Sequence, residues 1–136
     1  MSSTYLIIIA ILGWGIGSLF YKVANDNLHP IMVSTIVTAV YLVITPIPFM
    51  FMNFDRSVNS TGIIYSIIGG LLMCAGSMGY FYALRGGSAG TTTVLTSLYP
   101  AVTLILASIF LKETINFKHG VGIALALVAF ILLGSK

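Results

Sequence analysis

Five long apolar stretches, separated by short polar joints, limit what this chain can fold into more than any other feature. They cover residues 5–21, 31–54, 62–84, 91–111 and 117–133. A helix needs about 20 apolar residues to cross the hydrocarbon layer of a bilayer, and these stretches approach or exceed that length. Because lipid offers no partner to an unpaired backbone group, a spanning segment must satisfy its own hydrogen bonds. The pattern predicts an all-α integral membrane protein with five transmembrane helices.

The scarcity of charge supports the same fold class. Hydrophobic residues make up 58% of the 136 residues and charged residues 7%, whereas a soluble domain usually has about 25% charged residues. Most charges lie in the joints, whose sequences are KVANDNLH, DRSVNS, RGGSAG and KETINFK. These joints are too short to hold a soluble domain. We therefore expect one multi-pass transmembrane domain over residues 1–136, surrounded by lipid in the plasma or inner membrane of the cell.

The sequence lacks the residue patterns of several other function classes. Its basic residues are scattered singly, so they predict no nucleic-acid partner. It shows no cluster of metal ligands, no nucleophile beside a base and no phosphate-binding loop, so we expect no metal, no cofactor and no enzymatic activity. The first apolar stretch has no Lys or Arg before it and no clear cleavage site after it, which favours a retained helix over a signal peptide.

The basic residues are balanced between the two sides of the membrane that five helices define. An excess of Lys and Arg on the cytoplasmic side normally sets orientation. One side carries Arg56, Lys112 and Lys118, and the other carries Lys22, Arg85 and Lys136. Two interpretations stay open: a small count happens to balance, or the chain inserts both ways and forms an antiparallel dimer.

Polar residues recur at helical spacing in four of the five stretches. Spacings of three and four residues place such side chains on one helix face. The stripes are Trp14, Ser18 and Lys22; Ser34, Thr38, Tyr41 and Thr45; Ser66, Gly70, Met73, Ser77 and Tyr80; and Thr92, Thr96, Tyr99 and Thr103. Their hydroxyls either bond the backbone of their own or a neighbouring helix or line a polar pathway between helices one to four.

The pathway interpretation gives a set of candidate substrate-binding residues. They are Trp14, Ser18, Thr38, Tyr41, Ser77, Thr96 and Tyr99. Pro100 lies inside the fourth stretch and is predicted to kink it, which frees a backbone carbonyl near Thr96 that then needs a new partner. Bent or broken helices near the membrane centre are typical of transporter sites, although a simple packing kink is the alternative.

Three segments of the sequence resemble the EamA domain of the drug/metabolite transporter superfamily. "ILGWGIGSLFYKVA" is similar to the opening helix of that family, and "YFYALRGGSAG" is similar to its third joint. "LTSLYPAVTLILASIFLKETINFKHGVGIALALVAFILLG" resembles the end of the domain, with a proline in helix four, an FLxE-like ending and a last helix with glycines. The resemblance covers almost the whole chain.

The resemblance implies a five-helix half-unit of a small-molecule transporter that works by alternating access. Most members carry two such units in one chain, so this one is expected to pair with a second copy in antiparallel orientation or with a similar five-helix subunit. A membrane subunit that stabilises or regulates another protein is the alternative function.

The resemblance also bears on two charges at the membrane boundary. It matches Glu113 to the family's boundary carboxylate, which either holds the joint before the last helix or is a solvated charge. Lys22, at the edge of the first helix, is expected to anchor that helix or to attract an anionic group. Because no Asp or Glu lies inside a stretch, the sequence argues against the cation-for-proton exchange of related small multidrug transporters.

Overall fold

The computed structural model describes residues 3–53 and 58–134, and all regular elements among them are helices. Phe54, Asp55, Arg56 and Lys136 lie outside the described residues. The helices are α1 (Ser3–Asn27), α2 (Pro30–Ile44), α3 (Ile47–Phe51), α4 (Ser60–Gly86), α5 (Ala89–Thr96), α6 (Tyr99–Phe110) and α7 (Phe117–Gly134).

Four segments of the described chain are long and apolar enough to cross a membrane. They are Ser3–Asn27, Pro30–Phe51, Ser60–Gly86 and Ala89–Phe110, and a shorter apolar helix covers Phe117–Leu133. Each of the five predicted stretches therefore corresponds to one of these segments. The all-α membrane fold class predicted from the sequence is confirmed.

The first helix extends beyond the stretch that the sequence predicted for it. It continues from Tyr21 to Asn27, so only Leu28 and His29 separate it from the second helix. Lys22 and Asp26 form an ion pair one turn apart inside this extension. Charge marks where the hydrocarbon ends, but Lys and Asp pairs at this spacing are compatible with a continuing helix.

Proline marks the start of α2 and interrupts two of the spanning segments. Pro30 occupies the first turn of α2, where its missing N–H costs nothing, and His29 Nδ1 accepts the Ile31 N–H at 3.3 Å. The second span breaks at Thr45 and Pro46, between α2 and α3, and the fourth breaks at Ser97 and Leu98, between α5 and α6. The sequence predicted the break in the fourth span as a kink at Pro100. It did not predict the break in the second span.

The end of α6 depends on backbone conformation. Lys112 has a φ of 56°, which reverses the chain direction, and the Glu113 N–H donates to Ala107 O at 3.3 Å. This left-handed conformation is uncommon outside glycine. It explains why the apolar helix stops at the Lys-Glu pair.

The chain divides into two compact units, Met1–Gly86 and Gly87–Lys136. In the first unit α1, α2 and α4 pack together around Val33, Phe81 and Leu84. In the second unit α5 packs against α7, and Thr92 is its one buried residue among those described.

Candidate functional site

Helices α1, α2 and α4 of the first unit are packed tightly at one end only. The buried residues of this unit lie in the second half of α1, the first half of α2 and the last turns of α4. Leu84, Asn25 and Pro30 are the largest fully buried side chains of the described chain. All three lie where α1 ends, α2 begins and α4 ends, on the same side of the membrane. Toward the other side, no described residue of these helices is buried.

A pair of tyrosines lies at the inner limit of the packed end. The hydroxyl oxygens of Tyr21 and Tyr41 are 3.4 Å apart and link α1 to α2. The ring of Tyr21 meets the ring of Phe81 edge to face, with centroids 5.2 Å apart. Tyr80 lies beside Phe81 with centroids 6.0 Å apart. The three helices thus share an aromatic cluster of Tyr21, Tyr41, Tyr80 and Phe81, with Tyr41 55% exposed.

The candidate residues of the first unit occupy different environments. Ser18 is buried and donates to Gly15 O at 2.8 Å, so its hydroxyl hydrogen is used by its own helix. Trp14 is 68% exposed and makes no ring contact within the described residues. Thr38 and Ser77 are exposed, and neither side chain forms a hydrogen bond within the described part of the chain. Tyr41 is the one candidate that the structure joins to another helix through a side-chain bond.

Ser18, Thr38 and Ser77 nevertheless lie at a common depth. Ser18 is nine residues from the end of α1, Thr38 eight residues from the start of α2, and Ser77 nine residues from the end of α4. At ~1.5 Å per residue each lies roughly 12–14 Å from the packed end of the unit. That is close to the middle of a hydrocarbon layer about 30 Å thick.

The candidate residues of the second unit surround the break in its first span. Thr96 ends α5, while Tyr99 begins α6 and Pro100 follows in its first turn. Thr96 Oγ1 donates to Thr92 O at 2.9 Å and to Thr93 O at 3.0 Å. Tyr99 is 58% exposed. The predicted kink at Pro100 is therefore a full interruption of the helix.

The two boundary charges, Lys22 and Glu113, differ in their surroundings. Lys22 pairs with Asp26 on its own helix, and its side chain is 22% exposed. Glu113 is exposed, and its carboxylate has no hydrogen bond or ion pair among the described residues. Its backbone N–H, by contrast, closes the end of α6. Both roles that the sequence allows for the Glu113 carboxylate stay predictions.

The sequence pattern missed two residues of the packed end. Tyr21 was placed at the edge of the first stretch, and Asn25 was assigned to a joint. Asn25 is 1% exposed, and its Nδ2 donates to Tyr21 O at 2.8 Å, while its Oδ1 has no partner. The signal for both was the spacing of Ser18, Tyr21 and Asn25 by three and four residues.

No group of three or more metal-ligating side chains occurs in the described parts of the chain. The hydroxyl and aromatic groups at mid-depth are neutral, so the chemistry that they support is hydrogen bonding and stacking with a small molecule.

Comparison with known proteins identifies the family. A model of the EamA-like transporter family matches residues 1–135. The chain belongs to the EamA-like transporter family. The resemblance found in the three sequence segments is thereby confirmed.

Two relatives of this EamA-family chain differ in how much of their length is matched. The uncharacterized protein MJ1333.1 of Methanocaldococcus jannaschii is 30% identical over 120 residues, which are 88% of this chain and 87% of the relative. The WAT1-related protein At1g44800 of Arabidopsis thaliana is 40% identical over 55 residues, which are 40% of this chain and 15% of the plant protein. No solved structure matches the chain.

Proposed function

We propose that the chain is a half-size transporter of small molecules that works by alternating access as an antiparallel homodimer in the plasma or inner membrane. Family membership supports a transport function and gives no indication of enzymatic activity. The archaeal relative is matched over nearly all of its length by this one repeat, so its size is about that of this chain.

The observation that carries the proposal is the one-sided packing of the first unit. Its helices converge at the buried end formed by Asn25, Pro30 and Leu84, and no described residue of theirs is buried at the other end. Alternating access requires a site that opens to one side while the other side is closed. A helix bundle that is packed at one end and open at the other has the form of one such state.

The neutral polar groups at mid-depth favour a small polar or amphipathic substrate. Thr38 and Ser77 present hydroxyl groups at this depth. Tyr41 and Trp14 lie about one turn farther from the packed end, on α2 and α1. We assign substrate contacts to these residues and to Ser18, Thr96 and Tyr99. No carboxylate lies inside a described spanning segment to attract a cation or a proton, apart from Asp26 near the end of α1.

Another five-helix repeat, from a second chain, is needed to surround a substrate that contacts only one repeat. The balance of three basic residues against three favours a second copy in the opposite orientation. A separate five-helix subunit would serve the same purpose with each chain in a fixed orientation.

The alternative is a membrane subunit that stabilises or regulates another protein without transporting anything. It is favoured by the hydroxyls of Ser18, Thr45, Thr96 and Thr103, which all donate to carbonyls of their own helices. In that case the stripes have structural roles only.

Single-cysteine accessibility separates these functions. We would replace Cys74 with Ala and compare Ser34→Cys, at a buried position of the packed end, with Thr38→Cys, at an exposed position one turn away on α2. A transporter predicts that a hydrophilic thiol reagent modifies both cysteines, Ser34→Cys slowly and through transient opening of the packed end. A static subunit predicts that Ser34→Cys stays unmodified while Thr38→Cys reacts.

A further inference from the structure

The break between α5 and α6 leaves two main-chain carbonyls without their helical donors. Pro100 has no N–H to give to Thr96 O, four residues earlier. The next amide, that of Ala101, donates to Leu98 O at 2.9 Å, so Ser97 O loses its helical donor as well. Thr96 and Ser97 are both exposed within the second unit.

The side-chain hydroxyls at the break present lone pairs only. Ser97 Oγ donates its hydrogen to Val94 O at 2.7 Å, and Thr96 Oγ1 donates to Thr92 O and Thr93 O. A hydroxyl has one hydrogen and two acceptor lone pairs. Both oxygens can therefore accept a further hydrogen bond or coordinate an ion, and neither has a hydrogen left to donate.

The break lies in the apolar part of the span. Ser97 is eight residues after the start of α5 at Ala89, which is roughly 12 Å along the helix. A carbonyl at this depth in lipid must find a partner, because each unsatisfied group costs several kcal/mol. Main-chain carbonyls released by a helix break are the groups with which some transporters coordinate cations.

The helix ends at the break favour a positive charge over a negative one. The carbonyl end of α5 carries the negative end of its dipole. The start of α6, which is otherwise suited to an anion, has lost donors, because Pro100 lacks an N–H and the Ala101 N–H is already bonded to Leu98 O. Oxygen acceptors thus outnumber the remaining donors.

We infer that Thr96 O, Ser97 O and the hydroxyl oxygens of Thr96 and Ser97 bind a monovalent cationic group near the membrane centre. This group is the ammonium group of a substrate or a small alkali ion that is transported with the substrate. The inference rests on the proposed transport function, whose substrate class it makes more specific. It also gives a reason why a cation site here needs no carboxylate: backbone dipoles replace it.

Thermal unfolding of the purified full chain, followed by the fluorescence of Trp14, tests the inference. Trp14 is the sole tryptophan of the sequence. We would compare sodium chloride, potassium chloride and phenethylammonium chloride with choline chloride at equal ionic strength, with 2-phenylethanol as the uncharged control. A ligand that binds the folded protein raises Tm with its concentration. A response to phenethylammonium alone identifies a substrate ammonium, and a response to sodium or potassium alone identifies an alkali ion.

Pro100→Ala locates the site because it returns an N–H to Thr96 O. We expect its apparent affinity for the active cation to fall at least tenfold. Pro48→Ala makes the same chemical change in the first turn of α3 and is expected to bind like wild type. If Pro100→Ala does not fold, Ser97→Ala, which removes one of the hydroxyl oxygens, is expected to weaken binding as well.

The results separate this inference from the transport proposal. No rise in Tm with any of the three cations, or an equal rise in Pro100→Ala, overturns the cation site, even if cysteine labelling shows alternating access. A cation response that is lost in Pro100→Ala, combined with an unreactive Ser34→Cys, supports the site and overturns transport by alternating access.

Discussion

Tyr21 of α1 and Tyr41 of α2 hold their hydroxyl oxygens 3.4 Å apart, between the packed end of the first unit and its open half. Such a contact is longer than the usual separation of hydrogen-bonded hydroxyl groups, about 2.5–3.0 Å, and hydrogen bonds between membrane helices contribute about 0.6 kcal/mol on average. The pair therefore provides an adjustable link between the two helices.

The strength of this link can be measured with a double-mutant cycle. We expect Tyr21→Phe and Tyr41→Phe each to lower the free energy of unfolding by about 0.5 kcal/mol, because each removes the same hydrogen bond. The double variant should have about the same free energy of unfolding as the less stable of the two single variants. Unfolding in a denaturing detergent is the measurement. Additive losses would show that the two hydroxyls do not interact.

Asn25 is predicted to tolerate an apolar side chain better than a charged one. Its Oδ1 is buried without a partner, and its Nδ2 bonds a backbone carbonyl of its own helix. Leucine has the same branched side-chain shape as asparagine, and Asn25→Leu removes the unpaired atom, so we expect the stability to change by less than about 1 kcal/mol. Asn25→Asp places a charge in the same position and should cost about 3 kcal/mol or more. Unfolding of both variants side by side tests this, and equal losses would contradict it.

The protein is expected to be more stable with glycine in place of Lys112. Its φ of 56° is a conformation that glycine adopts without a steric cost. We predict that Lys112→Gly raises the free energy of unfolding by about 0.5–1 kcal/mol. Lys118→Gly is the matched control: Lys118 lies in the first turn of α7, where glycine should lower stability by a similar amount. A loss of stability in both variants would show that the lysine side chain itself holds the joint.

The spanning segments were predictable from the sequence because lipid imposes a simple rule on composition. A run of about 20 apolar residues has few folded alternatives in a membrane. The break near Pro100 was predictable for a similar reason, since a proline inside a helix always removes a hydrogen bond. The break at Thr45 and Pro46 was missed although Pro46 and Pro48 gave the same signal, because the stretch was assigned from its apolarity alone.

The packed end of the first unit was not predictable from hydropathy. The polar residues after Tyr21 indicated the end of the membrane, and the helix was wrongly assumed to end there too. Asn25 is instead buried against its neighbours by the convergence of three helices. The hydrogen-bond partner of each hydroxyl group was not predictable either, because a serine such as Ser18 can bond its own backbone instead of a ligand. The candidate substrate contacts stay predictions for this reason.

The central claim, a half-size transporter built from two antiparallel copies, is tested most directly by the orientation of the chain in the membrane. We would replace Cys74 with Ala and place single cysteines at Asn27, at the end of α1, or at Thr114, in the joint between α6 and α7. These positions lie on opposite sides of the membrane in any one orientation. Intact cells would be treated with a membrane-impermeant thiol reagent before and after permeabilisation. The account predicts that about half of the molecules are labelled in intact cells at each position, and all of them after permeabilisation. Full labelling at one position with none at the other would show a single orientation and would contradict the antiparallel homodimer.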